Sequence, residues 1–308
     1  VTQNAAIVTS GNNSSGLVAQ SIGGGGGFVL GASQSGAVES VGATAAGGAS
    51  GTGGAVTLSV NAPITSSGVQ SFGVIAQSFG GGGGMTSGGG FSGSEGGSGD
   101  GGAVSVTVNA NILARGAGAN AIFAQSAGGG GNGDIAIDIE NGIVTASGDS
   151  AATIRFADGA ANSLINRGTV TTALGVAGLA LQGSGGAQTV ENFGTLNGSV
   201  DLGRMANHFT NHAGALFNSG VTLNLGSGAL SNSGKLSVGG DFAIGTTALT
   251  GNFVQGNGTV FVDADMAQPG LATSVDRLTV SGAATLSGTV LANRITPGNV
   301  ESRTHEAV

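Results

Sequence analysis

One phrase occurs three times in the chain and restricts how it can fold: Ala-Gln-Ser, one further residue, and a run of glycines. The copies are Ala19–Gly27, Ala76–Gly84 and Ala124–Gly131. An alternating apolar and polar segment begins 21 residues before the second copy and again 21 residues before the third. The glycine-rich part that follows each copy varies in length. A constant part and a variable part within one period predict a stacked repeat that carries a surface loop, which is the pattern of a solenoid.

The alternating segments have the two-residue period of β-strands. In Ala55–Val60 and Ala103–Val108, Val or Leu alternates with Ser or Thr, so each strand is predicted to bury one side. Thr153–Asp158 is interpreted as a degenerate fourth copy of the Ala-Gln-Ser strand. Asn61 and Asn109 come one residue after the alternating strands, where we expect turns with a left-handed backbone.

The second half of the chain consists of short strands separated by Asn-Gly or Asn-x-Gly turns. We divide the sequence into residues 1–131, with long glycine-rich loops, residues 132–257, with the Asn-Gly turn repeats, and residues 258–308, with longer and cleaner strands. A single coil cannot bury its apolar side alone, so coils must stack about 4.8 Å apart. The predicted fold class is all-β, a β-solenoid with glycine-rich loops that protrude from its coils.

Composition excludes several classes of function. Glycine accounts for 65 of 308 residues, only 8% are charged, and the net charge is −8. Without a basic run, the chain has no electrostatic footprint for nucleic acid or an anionic membrane. No apolar run approaches the roughly 20 residues of a membrane helix, so we expect no transmembrane segment. The absence of cysteine excludes disulfides, thiol catalysis and cysteine-ligated zinc.

The repeated phrase, read as AQS(I/F)GGGGG, resembles the repeats in passenger regions of Gram-negative autotransporters of the AIDA-like and pertactin-like kind. Val262–Asp265 and Ser274–Gly282 look like the pertactin-type end of such a passenger, which leads toward an autochaperone region and a membrane barrel. The resemblance implies a right-handed parallel β-helix, exposed on the outer membrane or released outside the cell. It also implies a role in adhesion, autoaggregation or biofilm formation. The implied partners are host or neighbouring cell surfaces, glycans, or further copies of the chain.

Few residues are candidates for chemistry. The glycine runs lack the GK[ST] ending of a phosphate-binding loop, so we interpret them as loop mouths. Asp263 and Asp265 share a strand face and are weak calcium candidates; the more ordinary expectation is that both carboxylates are solvated. His208 and His212 are four residues apart, which is too far on a strand for a shared metal ion. No other cofactor is expected.

Two phenylalanines near the glycine-rich loops, Phe28 and Phe91, are candidates for contact with a partner. The preferred hypothesis is a surface stalk that is not an enzyme and acts through many weak contacts. Two alternatives remain open. One is a filament subunit that stacks end to end, and the other is a polysaccharide-active β-helix in which Asp263 and Asp265 would be the acidic pair.

Overall fold

A computed structural model describes residues 1–23, 50–81, 98–149, 151–267 and 274–295, together with the backbone of residues 28–30 and 85–87. Within these ranges the regular structure is almost entirely β-strand. The one helical element there is a single 3-10 turn, Gly175–Ala177. Accordingly, none of the described residues belongs to a helix with the length and apolar character needed to cross a membrane.

Most of the strands are short, with longer ones where two sides of the molecule are joined without an intervening turn. In chain order they are β1 Thr2–Gln3, β2 Ile7–Thr9, β3 Leu17–Ile22, β4 Phe28–Leu30, β5 Val56–Val60, β6 Ile64–Ser66, β7 Val74–Phe79, β8 Met85–Ser87, β9 Val104–Val108, β10 Ile112–Ala114, β11 Ile122–Ala127, β12 Ile135–Ile139, β13 Ile143–Ala146, β14 Ile154–Asp158, β15 Ala161–Asn166, β16 Thr169–Thr172, β17 Leu179–Gly183, β18 Ala187–Asn192, β19 Thr195–Asp201, β20 His208–Asn211, β21 Leu216–Asn232, β22 Lys235–Val238, β23 Thr246–Gln255, β24 Thr259–Ala264, β25 Arg277–Val280, β26 Ala284–Leu286 and β27 Thr289–Arg294.

Strand pairing arranges these elements as three stacks, which we call faces 1, 2 and 3. Face 1 contains β1, β5, β9, β12, β15, β18, β20, the end of β21, the end of β23, and β26. Face 2 contains β2, β6, β10, β13, β16, the starts of β19 and β21, β22, β24 and β27. Face 3 contains β3, β7, β11, β14, β17, the end of β19, the middle of β21, the start of β23, and β25.

All of these pairings are parallel, so the chain climbs one rung each time it passes through the three faces. The described residues form nine such turns and, on faces 1 and 2 only, a tenth. At about 4.8 Å per rung, the nine steps between them span roughly 43 Å. The all-β class and the parallel β-helix predicted from the sequence are confirmed.

The main core is one column of inward-facing side chains, and a smaller buried cluster of Phe72, Ile75, Phe123 and Ala157 is separate from it. On face 1 the rows Val56-Leu58-Val60, Val104-Val106-Val108 and Ile135-Ile137-Ile139 lie in register and are buried. This confirms the predicted alternation. On face 3, Ile154 of β14 lies opposite Ile122 of β11, so Thr153–Asp158 is indeed a further copy of the Ala-Gln-Ser strand.

Glycine is required at the corner between faces 1 and 2 because successive turns approach closely there. A Cβ atom on Gly168 would lie 2.5 Å from the carbonyl oxygen of Gly142, and one on Gly194 would lie 2.1 Å from that of Gly168. The same contact recurs between Gly258 and Gly234, at 2.5 Å. The absence of a Cβ atom at Gly168, Gly194 and Gly258 therefore lets the corner peptides stack.

The glycine-rich segments after the first two Ala-Gln-Ser strands contain β4 and β8. These strands pair in parallel as a separate two-stranded sheet, with Phe28 opposite Met85. Backbone hydrogen bonds thus join neighbouring insertions to each other. The two strands are parallel, as are the strands of the turns that carry them.

Candidate functional site

The glutamines of the repeated phrase form a ladder of side-chain amides along face 3. Gln20 Nε2 donates to Gln77 Oε1 at 2.7 Å, and Gln77 Nε2 donates to Gln125 Oε1 at 2.9 Å. The ladder ends where Gln125 Nε2 donates to a carboxylate oxygen of Asp158, at 2.8 Å. The glutamines therefore join consecutive turns, which is a structural role.

The serines of the phrase fix the start of the following turn. The Ser78 hydroxyl donates to Gly54 O at 2.9 Å and accepts from Gly102 N at 2.8 Å. One turn later, the Ser126 hydroxyl donates to Gly102 O and accepts from Gly133 N, both at 2.8 Å. These hydroxyls bind the chain where it returns from each glycine-rich segment, so the interpretation of the glycine runs as loop mouths agrees with the geometry.

A second ladder runs inside the corner between faces 1 and 2. Each amide nitrogen donates to the amide oxygen one turn later at 2.7 to 2.8 Å, and the five side chains are almost completely buried: Asn166, Asn192, Asn211, Asn232 and Gln255. The first three also donate to a backbone carbonyl on the next turn. A buried amide is costly unless it is hydrogen-bonded, so this ladder specifies the register of the turns.

The ladder has a direction, and its two ends are unsatisfied. Asn166 Oδ1 and Gln255 Nε2 are buried without a hydrogen-bond partner. The residue in register before Asn166 is Ile139, and the one after Gln255 is Leu286; neither side chain can hydrogen-bond. Each end therefore retains one unmet donor or acceptor, while every interior amide is bonded to both neighbours.

The expected left-handed turns at Asn61 and Asn109 are wrong. Neither residue has a positive φ; among the described non-glycine residues, positive φ occurs at Asn13, Gln70, Asp158 and Phe242. Instead, Asn109 Nδ2 donates to Asn61 Oδ1, and Asn61 Nδ2 donates to Asn4 Oδ1, both at 2.8 Å. These asparagines form a third, exposed ladder, and stacking rather than turn formation explains their recurrence.

Asp263 is buried, so the expectation that its carboxylate is solvated is wrong. The residue is 5% exposed. One carboxylate oxygen accepts from Ala243 N at 3.0 Å, and the other accepts from Asn293 Nδ2 at 2.6 Å. Asp265 is half-buried and lies just after β24, where its carboxylate accepts from Ala267 N at 2.9 Å. The two carboxylates therefore hold different backbone segments.

Asp276 is an acidic neighbour of Asp263 and was not singled out by its sequence pattern. Its carboxylate accepts from Asp263 N and from Gly245 N, each at 2.7 Å. Together the two aspartates join β24, the turn before β23 and the segment before β25. Within the described ranges no group of three or more His, Asp or Glu side chains is arranged to hold a metal ion. Calcium binding by Asp263 and Asp265 stays a prediction.

The contribution of Asp276 to stability should decrease as the pH rises above the usual range of an aspartate. Burial, together with the nearby charge of Asp263, raises the pKa of Asp276 against the opposing effect of its two backbone hydrogen bonds. The folded protein therefore holds this proton more tightly than the unfolded chain, and the associated stability is fully present only below the unfolded pKa. In denaturant titrations, the free energy of unfolding of the protein minus that of its Asp276→Asn variant should fall as the pH rises from the pKa of Asp276 in the unfolded chain to its higher pKa in the folded protein. A difference that grew with pH would contradict this direction.

His208 and His212 are separated as the strand geometry predicts, and each has its own surroundings. The His212 ring stacks on Phe193 with centroids 3.9 Å apart and also contacts the Glu191 carboxylate. His208 is exposed on face 1. One turn before Phe193, Arg167 pairs with two carboxylates, those of Asp138 and Glu140. This column of charged and aromatic side chains follows the outer side of the corner over four turns.

Neither phenylalanine proposed as a partner contact can be assigned a surface role. Phe28 lies in β4, where only its backbone is described, and Phe91 lies outside the described residues. A scan against protein-family models matches none, and neither the search of curated proteins nor the search of solved structures returns a match.

Proposed function

We propose that this chain is a segment of an autotransporter passenger that acts as a stalk on, or released from, the outer surface of a Gram-negative bacterium. Its function would be adhesion, autoaggregation or biofilm formation. The proposal rests on the resemblance of the repeated phrase and of the segment near Asp263 to such passengers. It is supported by the parallel β-helix, which is the architecture that the resemblance implies.

The observation that carries the proposal is how the polar side chains of the repeats are used. The Gln and Asn positions that define the repeats are hydrogen-bonded to the equivalent positions of adjacent turns, and the Ser hydroxyls bind the backbone where the chain returns from each insertion. Because these polar side chains bond consecutive turns to each other, they make the column rigid. This favours a structural role for the repeats. A rigid column can present many copies of a weak contact at a distance from the cell, and multivalency raises the avidity of weak contacts.

The alternative of a polysaccharide-active enzyme receives no support from its acidic pair. A glycoside hydrolase needs two carboxyl groups that both reach the glycosidic bond. The Asp263 carboxylate is buried and is bonded to Ala243 N and Asn293 Nδ2, so it is not presented to a polymer outside.

Coated beads test the adhesive function. We expect polystyrene beads that carry the purified chain to cluster and to bind bacterial cells, whereas albumin-coated beads stay dispersed. A matched variant replaces residues 24–49 and 82–97 by links as short as the one that follows the third Ala-Gln-Ser phrase. Beads with the complete chain that stay dispersed would contradict adhesion. If beads with the shortened variant still cluster, the adhesive contact lies on the strand faces and not on the insertions.

The alternative of a filament subunit that stacks end to end stays a prediction. Sedimentation velocity at increasing protein concentration tests it: assembly should give concentration-dependent oligomers, and a protein that stays monomeric at high concentration would exclude assembly.

A further inference from the structure

The corner of the fourth turn holds an asparagine side chain against the backbone nitrogen of the glycine that follows it. We propose that Asn141 is a site of spontaneous modification, at which the Asn141–Gly142 pair closes to a succinimide and opens to aspartate and isoaspartate. The inference rests on the local geometry and is independent of the proposed function.

The geometry at this corner brings the Gly142 nitrogen to the Asn141 side-chain amide. Gly142 N donates to Asn141 Oδ1 at 2.7 Å, so the nitrogen lies beside the amide group whose Cγ atom it would attack. Reactions are strongly accelerated when the reacting atoms are held roughly 3 to 3.5 Å apart in the right orientation. Asn141 is exposed, and a glycine at position 142 puts no Cβ atom in the way of ring closure. Water can therefore reach the product, and ammonia can leave.

The chain contains three further Asn-Gly pairs, and they are arranged differently. Asn197 Oδ1 accepts from Asn218 Nδ2 at 2.7 Å, so its amide is held along the stack. Asn132 Oδ1 accepts from Gly128 N, and Gly133 N donates to the Ser126 hydroxyl at 2.8 Å. Asn257 is exposed in the equivalent corner of the ninth turn, where the described structure shows no contact between its side chain and Gly258 N.

The reaction needs only water as a partner. Gly142 N forms a bond to Asn141 Cγ while the Cγ–Nδ2 bond breaks, and the proton lost by Gly142 N leaves with Nδ2 as ammonia. Water then opens the ring. Attack at Cγ restores the normal main chain with an aspartate, whereas attack at the backbone carbonyl carbon gives an isoaspartate, in which the main chain runs through Cγ. Either product adds one negative charge at position 141.

Both products would weaken this corner. A new carboxylate would follow Glu140 directly, which with Asp138 already contacts Arg167 Nη1, at 3.0 and 2.8 Å. The isoaspartate also lengthens the main chain by one carbon just before Gly142, whose carbonyl oxygen accepts from Thr169 N at 2.9 Å. The fourth and fifth turns would therefore lose register at this corner as the protein ages.

Peptide mapping of the complete chain tests the inference. The folded protein is incubated at 37 °C and mildly alkaline pH, and mass spectrometry follows the gain of about 1 Da expected for replacing an amide by a carboxyl group at each Asn-Gly pair, while an isoaspartyl methyltransferase labels isoaspartate. We expect Asn141 to react at least about tenfold faster than Asn197 and Asn132, because orientation favours ring closure only at Asn141. In denaturant, all four pairs should react at similar rates. The variant Asn141→Gln should lose most of the label.

Asn257 tests whether the reaction rate depends on local geometry or only on exposure to solvent. It should react more slowly than Asn141 in the folded protein, although both residues are exposed. A folded-state rate at Asn141 as low as that at Asn197, a faster reaction at Asn257, or label that persists in Asn141→Gln would each overturn the proposal.

Discussion

Replacing Asn211 by valine should lower the free energy of unfolding by roughly 2 to 6 kcal/mol, since each buried polar group left unpaired costs about 1 to 3 kcal/mol. Asn211 is in the interior of the buried amide ladder. Its loss removes the acceptor of Asn192 Nδ2 and the donor to Asn232 Oδ1, and it also leaves Lys235 O without that donor. Denaturant unfolding followed by circular dichroism measures the change.

Asn166→Val is the matched control at the end of the same ladder. That substitution leaves Asn192 Oδ1 and Thr195 O without this donor, but no donor loses its acceptor, and the substitution also removes Asn166 Oδ1, which is already unpaired. The free energy of unfolding should therefore fall by clearly less than in Asn211→Val. Equal losses at the two positions would mean that the ladder does not act as a continuous directional row.

Phe217→Ala should cost about 3 to 5 kcal/mol in free energy of unfolding, the range found when a buried aromatic side chain is truncated and a cavity remains. Phe217 is fully buried in the seventh turn, and its ring centroid lies 4.7 Å from that of Phe209. The turns above and below are tied by backbone hydrogen bonds, so the column cannot collapse into the space. Thermal and denaturant unfolding should both show the loss.

Phe193→Ala is the comparison on the outer side of the column. Phe193 is 46% exposed and stacks on His212. An exposed aromatic contact contributes only about 0.5 to 1.5 kcal/mol beyond area burial, so its removal should be several times less costly. A larger loss for Phe193→Ala than for Phe217→Ala would contradict the assignment of the core.

The sequence predicts the architecture well because two periods are superimposed in it. Alternation within a strand predicts the inward residues of β5 and β9, and recurrence between strands predicts the stacking. Both signals are local or periodic. Thr153–Asp158 could be recognised for this reason although only its position in the period, and not its residue types, matches the phrase.

The missed features depend on contacts between segments that are far apart in the chain. Asp263 takes the outward position of β24, because it alternates with Val260 in the core and Val262 packed against the core. It is buried because Ala243 and Asp276, from other segments, approach it from outside. The two-residue alternation of β24 carries no information about which distant segments of the chain cover its outer side.

The inward orientation of the asparagines in the buried ladder was not predicted, for a different reason. Asn in an Asn-x-Gly sequence is typical of turns, yet Asn192 is the last residue of β18 and points inward. The usable signal was its recurrence at the end of the face 1 strands β15, β18, β20 and β21, two or three residues before the next glycine.

The serine of the repeated phrase has a consequence for how much foreign sequence the column can carry. The hydroxyls of Ser21, Ser78 and Ser126 each accept from the returning backbone amide at 2.8 Å, although 33, 24 and 7 residues separate donor and acceptor. The same latch thus closes over insertions of very different size. A peptide epitope or a small domain grafted between these two points would be displayed without altering the register beneath it, and the scaffold would tolerate cargo at several heights along one side.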